Sequence, residues 1–142
     1  GIIVKGGKFL ITKRSMRETA FPGKWTVPGG KLVTTDYVSL PKTTSSYDGW
    51  YDIVEKVLRR EILEEVGLEI DNVRYVTDYA FIRPDGVPVL GLSYMCDWKA
   101  GEVTLGKDMD DYAWITLEDA PRYDLIEGIF DELKIASKLL QG

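Results

Sequence analysis

The chain of 142 residues contains no histidine. That absence removes Ser–His and Cys–His nucleophilic machinery and any His-ligated zinc site. Acid–base and metal chemistry is left to carboxylates, lysines and tyrosines. Cysteine is nearly absent as well. Cys96 stands alone, which excludes an internal disulfide framework and fits a reducing compartment, the cytoplasm. No run of roughly 18 apolar residues occurs, so no segment reads as membrane-spanning. The opening GIIVKGGKFL has no charged leader ahead of a long apolar stretch and does not read as a secretion signal. It starts almost inside a strand, and the expectation is that residues upstream of Gly1 are missing. An excess of positive charge is lacking too: 18 Lys and Arg stand against 23 Asp and Glu, a formal net charge of -5. Binding of nucleic acid through bulk charge is therefore disfavoured. A polyanionic small molecule is still acceptable where metal ions invert the local charge.

What is present is an ordinary globular composition, 44% hydrophobic and 29% charged, with length for one domain spanning 1–142. IIV and KFLITK, residues 2–4 and 8–13, are β-rich runs joined at Gly6-Gly7, which predicts a hairpin. Trp25-Thr26-Val27 reads as a short strand ended by Pro28-Gly29-Gly30. Residues 33–49, rich in Thr and Ser, read as a loop longer than the usual connection. From about Trp50 to Val66 the pattern is helical, with Asp48 as cap and Gly67 as stop. Residues 72–83 and 87–99 are β-rich and flank the turn Pro84-Asp85-Gly86. YAWITL, from Tyr112, is a further strand, Thr116 caps a short helix starting near Leu117, and residues 125–140 form a final amphipathic helix. The expected class is α/β, with a mixed sheet between helices.

The stretch RREILEEVG, Arg59–Gly67, gathers Glu61, Glu64 and Glu65 in a chain that is already acidic. At about 100° per residue, Trp50, Ile53, Val54, Val57 and Leu58 share one sector of the helix, and all three glutamates fall in that same sector. A core-facing stripe thus turns into a carboxylate stripe. A random acidic triplet is usually a solvated face. Here the glutamates continue an apolar face and approach the helix C-terminus, where the macrodipole disfavours anions. A divalent cation removes that strain, and oxygen ligands without His or Cys point to Mg²⁺ or Mn²⁺.

REILEEVGL, Arg60–Leu68, resembles the second half of the Nudix box, Arg-Glu-U-x-Glu-Glu-x-Gly-U with U aliphatic, at every specified position. WTVPGGK looks like the segment leading into the first half, and GGKFLITKRS and DYAWITLEDA are similar to flanking strands of that family. The family pattern has a glycine fourteen residues before the Arg and a Glu eight before it. Counting back from Arg60 gives Ser46 and Asp52 instead. Gly30 is the better match for the glycine but stands about sixteen residues too early, so 33–49 looks like an insertion inside the box. Asp52 either replaces the Glu that pairs with the box Arg, or is an early-helix acid favoured by the dipole.

The resemblance implies a Nudix α/β/α sandwich that hydrolyses a nucleoside diphosphate linked to another moiety, by attack of water on phosphorus with divalent cations. Residue by residue, it implies Glu61 and Glu65 as metal ligands, Glu64 as a third, the Gly30 carbonyl as a backbone ligand, and Arg60 as the group orienting a box carboxylate. The base is a box glutamate or an acid of a later loop, where Asp108, Asp110 and Asp111 are candidates and Asp110 and Asp111 are preferred. Arg14, Lys24 and Lys31 are candidate phosphate contacts, each also readable as surface charge. Trp25 either packs in the core or stacks on a base, and Phe81 and Tyr94 read as sheet core. The expected substrate is a nucleoside triphosphate; the alternatives are ADP-ribose or a nucleotide sugar, or a catalytically idle nucleotide-binding regulator. No nucleic-acid or membrane partner is expected, and a homodimer is admitted.

Overall fold

A computed structural model describes all residues from Gly1 to Gly142. Strand β1 (Ile2–Lys5) turns through Gly6 and Gly7 into β2 (Lys8–Arg14). Both glycines have positive φ, 56° and 76°, as a tight hairpin with right-handed strand twist requires. β3 (Trp25–Thr26), helix α1 (Ile53–Val66), β4 (Glu69–Ile82), β5 (Pro88–Ala100), β6 (Met109–Ile115) and helix α2 (Ile129–Gln141) follow. β2 pairs antiparallel with β6 along one edge and with β1 and then β3 along the other. β1 runs parallel to β5, with Ile2 opposite Met95 and Ile3 opposite Cys96, and β4 closes the sheet antiparallel to β5. The sheet is mixed, as expected.

Alternation along the strands builds a core on each face. Ile2, Phe9, Ile11, Met95 and Ile115 pack with Leu133 and Ala136 of α2. Their neighbours Ile3, Leu10 and Cys96 pack on the opposite face with Ile62 and Val66 of α1. The result is the expected α/β/α sandwich. No helix is long and apolar enough to cross a membrane.

Several boundaries differ from the sequence expectation for local reasons. α1 starts at Ile53 rather than near Trp50, because Asp52 adopts a left-handed conformation (φ 61°) that a helix cannot contain. Asp48 is not its cap and instead pairs with Lys42. Gly67, at φ 69°, ends α1 as expected, its N–H donating to the Leu63 carbonyl. β6 begins at Met109, three residues earlier than expected, because its ladder with β2 extends to Arg14. Thr116 caps no helix. Its N–H and hydroxyl both donate to Asp119, and only a single 3-10 turn follows at Ala120–Arg122. α2 waits until after Gly128, since Leu125 bridges Trp25 and the Ile126 N–H donates to the Trp25 carbonyl.

The segment 33–49 is ordered by its own bonds. It contains a 3-10 turn at Thr34–Asp36, a Thr43 N–H to Gly49 carbonyl bond, and a Tyr37–Trp50 ring contact at 5.1 Å. β4 and β5 continue beyond β1 as a two-stranded arm, because β1 covers only Met95–Asp97 of β5. Phe81 therefore is not sheet core. It stacks on Tyr79 in the arm and stays 43% exposed. Tyr94 is half-buried, with its ring edge-on to Tyr75.

Candidate active site

α1 presents Glu61 and Glu65 one turn apart beneath the Gly29-Gly30 turn. The Gly29 N–H donates to Glu65 Oε2 at 3.0 Å. Gly30 lies against the other carboxylate so closely that a Cβ there would stand 1.7 Å from Glu61 Oε2. Only glycine leaves room for that approach. Arg60 Nη2 meets Asp36 Oδ1 at 2.8 Å and Glu61 Oε1 at 4.0 Å, while its Nε lies 3.6 Å from Glu64 Oε1. Glu64 is the outer member of the triplet, its side chain 66% exposed.

The C-terminal end of α1 would be a poor place for anions if its carbonyls were free. They are not. The Gly106 N–H donates to the Glu65 carbonyl at 2.8 Å and the Thr104 N–H to the Val66 carbonyl at 2.9 Å. This docking carries Lys107 and Asp108 to the rim of a cavity of about 470 Å³, which Gly29, Gly30, Lys31, Asp36, Arg60 and the three glutamates also line.

The electrostatics follow from burial. Loss of solvent pushes Glu65 up to about 7, against the Gly29 N–H and with help from the Glu61 charge. Glu61 is raised chiefly by burial, with Arg60 opposing. Asp36 is held below the usual carboxylate range by the Val33 N–H and then by Arg60. Arg60 is raised in turn by its hydrogen bond to Asp36.

Gly30, Lys31, Arg60, Glu61, Glu64 and Glu65 are thus brought together. The other candidates lie elsewhere. Arg14 donates to the Ala20 carbonyl and pairs with Glu18. Lys24 pairs with Asp124. Trp25 packs edge-on against Tyr123 in the core beneath α2, on the far face of the sheet. Asp110 and Asp111 are exposed on β6 and do not line the cavity, whereas Asp108 does. Asp52 is the N-cap residue of α1, and the partner of Arg60 is Asp36.

Asp36 is the residue that sequence reasoning missed, and the signal was available. The family pattern separates glycine and Glu by fourteen less eight, that is six residues, and Asp36 stands six after Gly30. From Asp36 to Arg60 is 24 residues in place of eight, so the sixteen extra residues fall after Asp36.

Comparison with known proteins agrees with this geometry. The profile of the NUDIX domain matches residues 1–133. The chain is 28% identical over 135 residues to the nucleoside triphosphatase NudI of Klebsiella pneumoniae, covering 87% of this chain and 84% of that protein, with the same values for NudI of Escherichia coli K12. Among solved structures it resembles the MutT NUDIX hydrolase of Burkholderia pseudomallei (TM-score 0.71, 24% identity, 94% and 91% of the two chains). It also resembles the NUDIX domain of Shewanella oneidensis NrtR complexed with ADP ribose (TM-score 0.72, 17% identity, 98% and 82%). The chain belongs to the Nudix family and is a Nudix-type pyrophosphohydrolase.

Proposed function

We propose that the chain hydrolyses a nucleoside triphosphate to a nucleoside monophosphate and pyrophosphate with the aid of Mg²⁺ or Mn²⁺. The observation that carries this reading is the Glu61–Glu65 pair held against Gly29 and Gly30. The donor set fits a hard cation. It contains oxygen ligands only, and the side-chain cation nearest the two inner carboxylates is Arg60, at 4.0 Å from Glu61. No three acidic side chains converge on one point as they stand, so Glu64, the exposed outer member, would have to turn inward to join the inner pair. Glu61, Glu65, Glu64 and the Gly30 carbonyl would hold the ion, which supplies charge neutralisation at phosphate and a more acidic water.

The chain's own groups supply the rest. Lys31 and Lys107 at the rim attract the polyphosphate into an otherwise acidic cavity. Arg60, fixed by Asp36, holds the Glu61 and Glu64 carboxylates in register. Water adds to phosphorus as the bond to the pyrophosphate oxygen breaks. A cavity carboxylate takes the water proton, and Asp108 is the acid that the late loop offers for it in place of Asp110 or Asp111. The resemblance to NudI supports a triphosphate substrate, and a nucleotide substrate and a lone free thiol, Cys96, fit the cytoplasm.

The test is turnover with Mg²⁺ across nucleoside triphosphates, ADP-ribose and nucleotide sugars, following pyrophosphate and phosphate, with Glu65→Gln as control. Pyrophosphate release from triphosphates that Glu65→Gln abolishes is expected. Preference for ADP-ribose or a sugar nucleotide would reassign the substrate. Tight nucleotide binding without turnover would make the chain a regulator.

A further inference from the structure

Of the seven arginines in the chain, six pair with a carboxylate at 3.7 Å or closer. Arg17 is the exception. Its Nη2 donates instead to the Lys107 carbonyl at 3.1 Å, across 90 residues of sequence. That bond engages one of the five N–H donors of a guanidinium and none of its charge. The contact is not isolated, because the Ser15 N–H donates to the Asp108 carbonyl at 3.0 Å. Two bonds thus tie the turn after β2 to the loop that enters β6. Within that turn Ser15 Oγ accepts the Arg17 N–H at 3.1 Å. Ser15 is 2% exposed, and its hydroxyl still has a hydrogen to give.

Ser15, Arg17, Glu18, Lys107 and Asp108 line a further cavity of about 360 Å³ that has no apolar side chain in its wall. It adjoins the carboxylate cavity, since Lys107 and Asp108 border both. The lining decides what it takes. Glu18 is answered by Arg14 at 3.5 Å, which leaves Arg17 and Lys107 against the single carboxylate of Asp108. A base or a sugar ring would find no apolar surface to cover there. A phosphate suits it better, because several oxygens can accept at once from the fork of a guanidinium. Of the parts of a triphosphate, the terminal phosphate is the one that is anionic and stands clear of the nucleoside.

We propose that Arg17, with Lys107 and the Ser15 hydroxyl, holds the terminal phosphate of the substrate and so counts its phosphates, a proposal that rests on the triphosphate reading above. A nucleoside diphosphate cleaved at the same bond leaves this cavity empty. Arg17 then touches the departing pyrophosphate and not the phosphorus that water attacks, so the bonds made and broken are unchanged. Its contribution is to binding, and it separates triphosphates from diphosphates irrespective of the base.

Arg17→Ala and Arg17→Lys test it, with circular dichroism to check each fold and with the best triphosphate of the panel and its matching diphosphate as substrates. In Arg17→Ala, KM for the triphosphate is expected to rise roughly tenfold or more, as loss of a charged hydrogen bond does. Over the same change kcat falls less than about fivefold and KM for the diphosphate stays within about twofold of wild type. Arg17→Lys recovers part of the loss. Where the diphosphate is not turned over, its inhibition constant takes the place of KM. In NMR of the wild-type protein with Mg²⁺, the Arg17 Nε–H signal, assigned by its absence from Arg17→Lys, shifts on adding pyrophosphate but not on adding nucleoside monophosphate. Equal losses on triphosphate and diphosphate would make Arg17 a tether for the Lys107-Asp108 loop and overturn the proposal. An unchanged KM overturns it too, and both outcomes leave the triphosphate reading intact. A wild-type protein that turns over no triphosphate overturns that reading instead, and the pyrophosphate titration then decides alone: a shift of the Arg17 signal supports the phosphate cavity, and its absence overturns it.

Discussion

Asp36 and Arg60, 24 residues apart in the chain, meet at 2.8 Å across the sixteen extra residues. The pair holds the 3-10 turn at Thr34–Asp36 to the middle of α1 and sets the guanidinium between Glu61 and Glu64. Asp36→Ala is expected to lower kcat/KM roughly tenfold or more, as loss of a residue supporting metal ligands does. Asp36→Glu should recover part of it. Because both act through one contact, Asp36→Ala and Arg60→Ala should be strongly non-additive. Full additivity in that cycle would show that the pair does no joint work.

Gly30→Ala separates stability from ligand geometry. The added Cβ clashes with the far end of a flexible side chain, so Glu61 swings away at small cost to the fold, under about 1 kcal/mol. Mg²⁺ or Mn²⁺ affinity measured by calorimetry should drop roughly tenfold or more. Native affinity in a folded Gly30→Ala protein would remove Glu61, in its present position, from the ligand set.

Glu65 ties stability to pH in the metal-free protein. Its carboxyl is raised to about 7 in the fold, mainly by burial. Folding therefore favours the protonated form, and this contribution, fully present below the ordinary carboxylate range, is lost as pH rises through about 7. Glu65→Gln escapes the loss. Denaturation in chelator should show the variant's advantage over wild type growing by about 1–3 kcal/mol between pH 5 and pH 8. An advantage equal at both pH values contradicts the assignment.

The segment from Lys31 to Gly49 divides at Tyr37. Lys31, Val33 and Asp36 border the carboxylate cavity, while the remainder is organised by the Tyr37–Trp50 contact and the Trp50 Nε1–H to Leu40 carbonyl bond, outside it. Replacing 38–49 by a short Gly-Ser turn should lower the melting temperature with little change in kcat. A deletion that also takes Asp36 should lower kcat as Asp36→Ala does. A large kcat loss in the shorter replacement would place the outer loop in the chemistry.

Cys96 is fully buried, and desolvation pushes its thiol up to about 11. It should ignore a disulfide reagent at pH 8 in the native state and react at the rate of unfolding. Rapid labelling of native protein would contradict the packing of β5.

Much of this was legible in advance because period carries it. Alternation at Ile2 and Ile3, and again at Phe9, Leu10 and Ile11, marks a strand buried on both faces, and the i, i+4 spacing of Glu61 and Glu65 sets them on one helix face. What was not legible depends on contacts made at a distance. Asp36 was hidden because the sixteen extra residues defeat a count made backwards from Arg60. That Asp108, and not Asp110 or Asp111, reaches the cavity rim follows from the N–H groups of Thr104 and Gly106 docking on the last carbonyls of α1. Phe81 looked like core because its strand is apolar, but whether a strand is covered depends on where its neighbour stops, and β1 stops at four residues.

The parallel pairing of β1 with β5 sets the order in which the molecule can be made. Ile3 finds its ladder partner in Cys96, and Phe9, beyond its hairpin partner Val4, pairs with Ile115. The first hairpin emerges early from the ribosome and then waits, apolar on both faces, for strands about a hundred residues later. Non-local pairing of this kind slows folding and lengthens exposure. During synthesis these two strands therefore stay uncovered until β5 and β6 follow, and the Gly29-Gly30 turn has no carboxylate to receive until α1 has left the exit tunnel.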